Sequence, residues 1–282
     1  MDDPLDAALS RIDGWDAAHA AAAVVGPDGV LASLGDPTRS FRWASVTKLV
    51  TALVALVAVE RGLVDLDEPA GPPGSTVRHL LAHASGLPFE GGAVLAEPGR
   101  RRIYSNPGFD IVGALVAERA GRSFATVMAE WVTRPLGMTG THLADRPSQG
   151  LTGPLADLVT FAAECLRPTL VPAPSFRVAT TVAFPGLPGV VPGVGSFAPC
   201  DWGLGFELHA GKAPHWMGER TSAATFGHIG GAGTFLWVDP VADVALAVLT
   251  DREFGPWALE AWPALSDAVL RSGGIPRRAS TR

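Results

Sequence analysis

The chain has 282 residues, of which 47% are apolar and 18% charged, and its formal net charge is -6. This composition predicts a globular protein large enough for two lobes, and the lack of a basic stripe argues against a nucleic-acid surface. Residues 1–6 are acidic where a secretory signal is basic and then apolar, so we expect a cytoplasmic protein without membrane insertion. Cys165 and Cys200 form no CxxC pair and no disulfide framework, which fits a reducing compartment.

The first 34 residues predict a helix and a hairpin. Apolar residues recur at helical spacing before Gly14, which predicts a short amphipathic helix; they are Leu5, Ala8, Leu9 and Ile12. Two apolar runs follow at 20–25 and 30–34. The turn residues Gly26-Pro27-Asp28-Gly29 between them indicate a β-hairpin.

The stretch Ser45-Val46-Thr47-Lys48 opens an apolar run over 49–59 that has no polar face, a pattern typical of a helix buried on all sides. Arg61 and Gly62 are suited to its last turn and its cap, so the helix is predicted from near Ser45 to near Gly62. Ser45 and Lys48 then share one face. A charge at the start of an apolar helix is costly unless it has a use, and a serine beside a desolvated amine is an activated nucleophile. The alternative is a helix cap followed by a surface lysine.

The middle of the chain predicts mainly helices after a polar, proline-rich boundary near residue 67. They run from Thr76 to His83, from Asn106 to Gly121, from Ser123 to about Val132, and from Gly153 through Ala162. Asn106 fits an N-cap, with Pro107 at the first helical position. Residues 184–199 are so rich in glycine and proline that they predict a loop, placed as a flap over a cleft.

His79 and His83 are four residues apart on a predicted helix and could bind a metal together. Leu80 stands where an HExxH site has its glutamate, so we interpret both as structural histidines. We expect no metal and no cofactor.

The last third predicts strands and a closing helix. The strands are Trp202 to Leu208, Thr225 to Ile229, Thr234 to Val238 and Val244 to Thr250, and the helix is Trp257 to Leu270. The predicted fold is therefore α+β, with an antiparallel sheet flanked by helices and an inserted helical lobe. Residues 1–67 and 201–282 would form the α/β lobe, residues 68–200 the helical insert, and residues 273–282 a mobile tail.

Two further stretches carry candidate chemistry. Tyr104 is the single tyrosine in a chain with 8 Trp and 12 Phe, which suggests a use for its hydroxyl; the alternative is a packed ring. It is followed by Ser105-Asn106-Pro107. The run His228-Ile229-Gly230-Gly231 has glycines at the end of a strand, where a substrate backbone could approach closely and the Gly231 amide could point into the cleft. A tight hairpin explains the same run equally well.

Taken in order, SVTK, YSN and HIGG resemble the three motifs of the serine β-lactamase and penicillin-binding-protein superfamily, in the class C-like branch that includes esterases and D,D-peptidases. The likeness extends over most of the chain, including TVRHLLAHASGLP at 76–88. It implies that Ser45 is acylated, that Lys48 takes and relays its proton, and that Tyr104 is the acid and base for the leaving group and for water. It also implies an oxyanion hole made by the amides of Ser45 and Gly231.

The resemblance further implies that Asn106, His228 and Gly230 contact the substrate. Many β-lactamases have a lysine where this chain has His228, and a histidine is largely neutral at pH 7, so we expect weaker selection for a substrate carboxylate. The sequence thus favours a serine hydrolase acting on a small ester or amide. The alternatives are a D,D-peptidase or weak β-lactamase and, from another class, an inactive binding protein. The oligomeric state stays open.

Overall fold

The computed structural model describes residues 3–272. The predicted mobile tail at 273–282 lies outside the described residues. The helices are α1 (Pro4–Leu9), α2 (Thr47–Glu60), α3 (Val77–Leu81), α4 (Asn106–Ala120), α5 (Phe124–Met128), α6 (Leu155–Leu166), α7 (Ala173–Ala179) and α8 (Pro256–Arg271). The strands are β1 (Ala20–Gly26), β2 (Gly29–Leu34), β3 (Ser40–Arg42), β4 (Arg102–Ile103), β5 (His142–Leu143), β6 (Leu151–Pro154), β7 (Gly189–Val191), β8 (Gly195–Phe197), β9 (Glu207–Leu208), β10 (Phe226–Gly230), β11 (Thr234–Asp239) and β12 (Val244–Thr250).

The main sheet has six antiparallel strands in the order β2-β1-β12-β11-β10-β9. Two of them come from residues 20–34 and four from residues 207–250. β1 pairs with β12 through Ala20 opposite Thr250 to Val25 opposite Ala245. Both strands are buried along nearly their whole length. This explains why their sequences are continuous apolar runs and do not alternate.

Helices cover both faces of this sheet. One core contains residues of α1 and α8, with Leu9 and Trp262 completely buried against alternate residues of β1 and β12. The other core contains α2 and α6, and every residue of α2 from Thr47 to Ala58 is buried. The predicted α+β class and the helix buried on all sides are both confirmed, because each face of the sheet needs an apolar cover.

Two predicted elements are wrong in part. Only Glu207–Leu208 of the predicted strand Trp202 to Leu208 is a strand. The Gly203 amide donates to the Phe206 carbonyl at 2.8 Å, and Gly205 has a φ of 90°, so a turn that requires glycine replaces the start of the strand.

The predicted loop at 184–199 contains the hairpin β7-β8, and β7 pairs in parallel with β4. This small sheet fastens the glycine- and proline-rich segment beside Tyr104, since Val191 and Tyr104 share a small apolar cluster. The sequence also missed α7, a short helix whose few apolar positions give little periodicity.

The proposed division into an α/β lobe and a helical insert stays a prediction. α6 belongs to the predicted insert, yet it packs against β1 and β12 of the main sheet. Within residues 3–272, no helix combines the length and the apolar character needed to cross a bilayer.

Candidate active site

Ser45 lies in a short 3-10 turn, Ala44–Val46, that leads directly into α2. Ala44 has a φ of 46°, in the left-handed region that a residue with a side chain rarely adopts. The Trp43 carbonyl accepts hydrogen bonds from the Val46 amide (3.1 Å) and from the Thr234 hydroxyl (2.9 Å). The strained turn is therefore held against β11, and it presents Ser45 to a cavity.

Gly230 makes this contact possible. A Cβ atom at this position would lie 2.4 Å from the Trp43 carbonyl oxygen and 2.3 Å from the Thr234 hydroxyl oxygen. Gly230 was predicted to contact substrate, but it is packed behind the turn and is not among the residues that line the cavity. Its lack of a side chain instead lets β10 approach the turn that carries Ser45.

Lys48 is completely buried one helical turn from Ser45, and burial lowers the pKa of its amine to about 7. Its Nζ atom lies 3.1 Å from Ser45 Oγ, 2.6 Å from Asn106 Oδ1 and 2.8 Å from the Ser148 carbonyl oxygen. A neutral amine has two N–H groups and one lone pair. The two oxygens of Asn106 and Ser148 match the two N–H groups, which leaves the lone pair for the Ser45 hydroxyl.

Asn106 is not the N-cap that the sequence predicted. The Ser105 hydroxyl caps α4 by accepting from the Gly108 amide (3.2 Å), so Asn106 is the first helical residue. Because its side chain is free of the capping role, its Oδ1 accepts from Lys48. Its Nδ2 donates to Glu90 Oε1 at 2.7 Å.

The charged groups behind Asn106 were missed by sequence reasoning. Arg146 forms ion pairs with Glu90 (2.9 Å) and Asp110 (3.3 Å). Glu90 and Asp110 each raise the pKa of Lys48, and Arg146 lowers it, so they partly offset the effect of burial. Nothing in the sequence distinguishes these residues from ordinary surface charges, because they lie 42 or more positions from Lys48.

Tyr104 lies between the candidate nucleophile and His228. Its phenol is close enough to Ser45 for the serine to lower the pKa of Tyr104, against the larger effect of burial, and its hydroxyl is 3.5 Å from His228 Nε2. His228 Nδ1 lies 2.6 Å from the Ile229 carbonyl oxygen, which can only accept. The proton of the neutral ring is therefore on Nδ1, and Nε2 faces the phenol as an acceptor.

Burial keeps both rings uncharged. It raises the pKa of the Tyr104 phenol well above its usual value, and it lowers the pKa of His228 to about 3, with the Lys48 charge acting in the same direction. At neutral pH the site therefore contains a neutral phenol and a neutral imidazole. Lys48 is the group whose pKa suits it to exchange a proton near pH 7.

The histidine pair does not share a helix face, because α3 ends at Leu81 and His83 has a φ of 55°. His79 Nδ1 accepts from the Thr76 amide in a capping box. His83 Nδ1 accepts from the Ser105 amide at 3.0 Å, and its ring stacks on Tyr104 with 4.4 Å between centroids. His83 thus supports the motif that carries Tyr104, which sequence reasoning did not predict.

The cavity in front of Ser45 has a volume of about 330 Å³. Its lining includes Tyr104, Asn106, His228, Gly231 and Val191, the last from the segment predicted as a flap. Phe89, Trp202 and Phe254 also line it, and sequence reasoning did not connect them to the site. A Cβ at Gly231 would meet nothing within 4 Å, so this position is open to the cavity. Among residues 3–272, the Gly231 amide has no hydrogen-bond acceptor, as an oxyanion donor requires.

An antiparallel sheet flanked by helices, with Ser-x-x-Lys at the start of a buried helix and a tyrosine facing the serine, defines a protein of the β-lactamase fold. The family model described as Beta-lactamase matches residues 12–270, and the chain belongs to that family. The resemblance found in the three motifs is therefore confirmed.

Solved structures and curated proteins agree with this assignment. A crystal structure of a β-lactamase from Mycobacterium bovis superimposes with a TM-score of 0.93 and 54% identity, covering 95% of this chain and 100% of that one. D-alanyl-D-alanine-carboxypeptidase/endopeptidase AmpH of Escherichia coli is 30% identical over 145 residues, and esterase EstB of Burkholderia gladioli is 31% identical over 153. The aligned regions cover 38% and 37% of this chain and only 38% and 39% of those two relatives.

Proposed function

We propose that the protein is a serine hydrolase that cleaves a small ester or amide through an acyl-enzyme on Ser45. The observation that carries this proposal is the environment of Lys48. A buried amine with a pKa of about 7 lies 3.1 Å from the Ser45 hydroxyl, and two carbonyl oxygens fix its N–H groups. This arrangement supplies a base at neutral pH without a histidine.

In the proposed acylation, Lys48 takes the Ser45 proton as Oγ attacks the substrate carbonyl. The amides of Ser45 and Gly231 bind the oxyanion, and each such donor contributes about 2.7–4 kcal/mol in comparable sites. The Tyr104 hydroxyl transfers a proton to the leaving alcohol or amine and regains one from the Lys48 ammonium. Collapse of the intermediate breaks the ester or amide bond and leaves the acyl group on Ser45.

Deacylation repeats these steps with water in place of the leaving group. Tyr104 and Lys48 together remove one proton from water as it attacks the acyl carbon, and Ser45 Oγ recovers a proton as it leaves. Because Tyr104 and Lys48 exchange protons, their titration belongs to the pair. Neutral His228 next to Tyr104 accepts a hydrogen bond from the phenol and fixes its direction.

A second candidate function is β-lactam hydrolysis, favoured by the 54% identity to the Mycobacterium bovis β-lactamase over 95% of the chain. The neutral His228 at the third motif argues for esters instead, because it offers no cation to the carboxylate of a β-lactam. Peptidase activity like that named for AmpH is a variant of the same chemistry.

The test compares hydrolysis of p-nitrophenyl butyrate and of a chromogenic cephalosporin by the wild type, Ser45→Ala and Tyr104→Phe. We expect ester turnover that Ser45→Ala abolishes and that Tyr104→Phe slows by about 10²- to 10⁴-fold. Faster turnover of the cephalosporin would favour the second candidate. Ester turnover unchanged in Ser45→Ala would refute the proposal, and a folded wild type inactive on both would leave the binding-protein alternative in its place.

A further inference from the structure

A charged pair stands at the mouth of the cavity. Arg42 Nη1 lies 3.1 Å from Glu253 Oε1, and both residues line the cavity. Their side chains are 70% and 69% exposed, so the pair is in contact with solvent and open to an entering substrate. Neither residue belongs to the three motifs, and the sequence alone gave no reason to connect them.

Both backbones are fixed on either side of the candidate oxyanion hole. Arg42 ends β3 and is three residues before Ser45. Glu253 is followed by Phe254, whose amide donates to the Gly231 carbonyl at 2.9 Å. A substrate whose carbonyl lies between the amides of Ser45 and Gly231 therefore extends past this pair in one direction.

The other ionisable residues that line the cavity are compensated or uncharged. Glu207 is completely buried and contacts Lys212 Nζ at 3.2 Å and His215 Nε2 at 2.8 Å. His228 is neutral, and Lys48 lies behind Ser45 rather than in the lining. Of the lining residues in the described range 3–272, Arg42 is thus the one permanent cation, and its Nη1 donates to Glu253 Oε1.

We propose that Glu253 masks Arg42, the cation placed to bind an anionic group of a substrate, so that the native enzyme prefers substrates without a charge at this end. This inference rests on the proposed hydrolase function and adds substrate selection by charge. Glu253 competes with a substrate carboxylate for the Arg42 guanidinium and also repels it. Removing the Glu253 charge should then convert the mouth into a carboxylate site.

The test measures kcat/KM for 4-nitrophenyl 3-carboxybenzoate, which is anionic, and for its uncharged methyl ester, 4-nitrophenyl 3-methoxycarbonylbenzoate, which has the same leaving group. The ratio of the two values is compared among the wild type, Glu253→Gln, Arg42→Gln and the double variant, so that differences in intrinsic reactivity cancel. We expect Glu253→Gln to raise the ratio about 2- to 5-fold at low ionic strength, as befits an exposed charge, and salt to reduce the gain. The gain should disappear in the double variant.

Glu97→Gln is the matched control. Glu97 pairs with Arg100 at 3.2 Å with side chains 77% and 73% exposed, and neither residue lines this cavity. The Glu97→Gln variant removes the same charge as Glu253→Gln and should leave the kcat/KM ratio unchanged. A ratio that rises equally in Glu97→Gln, rises equally without Arg42, or stays constant in Glu253→Gln would overturn the inference.

A binding measurement separates this inference from the proposed function. The Kd ratio of 3-carboxyphenylboronic acid to its methyl ester, measured by calorimetry, should change among the variants as the kinetic ratio does. Ser45-dependent binding or turnover with a ratio insensitive to Glu253 would refute only the charge selection. If neither the boronates nor the esters react in a manner that depends on Ser45, both proposals fail.

Discussion

Replacing Asn106 by aspartate should move the pH dependence of the reaction. Asn106 Oδ1 is 2.6 Å from Lys48 Nζ, so the isosteric Asn106→Asp change places a carboxylate in contact with the amine. A carboxylate in contact with an ammonium raises its pKa, which would move that of Lys48 from about 7 to between about 8 and 10. The neutral fraction of Lys48 at pH 7 then falls from about one half to between about one in ten and one in a thousand.

The assay is kcat/KM for p-nitrophenyl butyrate between pH 5.5 and 10, which reports the ionisations of the free enzyme. The wild type should lose activity as the pH falls through about 7, because Lys48 becomes an ammonium. Asn106→Asp should be slower at pH 7 by about 5- to 500-fold and recover near pH 10.

The neighbouring carboxylate complicates this variant and supplies its control. Glu90 Oε1 now accepts from Asn106 Nδ2 at 2.7 Å, so the new carboxylate would face another acceptor, and part of it would stay protonated. Adding Glu90→Gln provides an amide donor at that position. Because Glu90 itself raises the pKa of Lys48, the double variant is compared with Glu90→Gln alone, and relative to that variant it should show the larger shift. A rate that falls equally at every pH, with the acid limb in place, would refute Lys48 as the titrating base.

Two further predictions concern stability. Gly230→Ala should destabilise the fold by about 1–3 kcal/mol, because its Cβ would collide with the Trp43 carbonyl oxygen at 2.4 Å. Gly231→Ala has open space and should leave the midpoint of urea unfolding unchanged. Equal midpoints for the two variants would contradict this account. Glu207→Ala should lower the free energy of unfolding in urea by about 3–5 kcal/mol, because it leaves Lys212 and His215 buried without their carboxylate. A loss below about 1 kcal/mol, of the order of a surface ion pair, would contradict this prediction.

The sequence predicts the main sheet and the nucleophile helix well because their signals are local. β1 and β12 are apolar over nearly their whole length, and α2 is apolar from Leu49 to Val59 except at Thr51. Strand length, turn residues and the cap at Gly62 separate strands from helix. Where glycine determines the backbone conformation, the pattern of apolar residues is less informative. The apolar residues around Gly203 and Gly205 look like a strand, yet a turn forms there because glycine permits it.

The chemistry of the site depends on contacts that no local pattern encodes. Ser45 and Lys48 can be predicted together since one helical turn relates them, but the lowered pKa of Lys48 is produced by burial. Its amine is oriented by two oxygens, on Asn106 and Ser148, from residues 58 and 100 positions away. The Ser148 acceptor is a backbone carbonyl, so the identity of that residue carries no signal. A lysine that begins an apolar helix suggests a purpose for its charge. Only the fold indicates that burial lowers the pKa of Lys48 to about 7, so that its uncharged form, which can accept the Ser45 proton, is present at neutral pH.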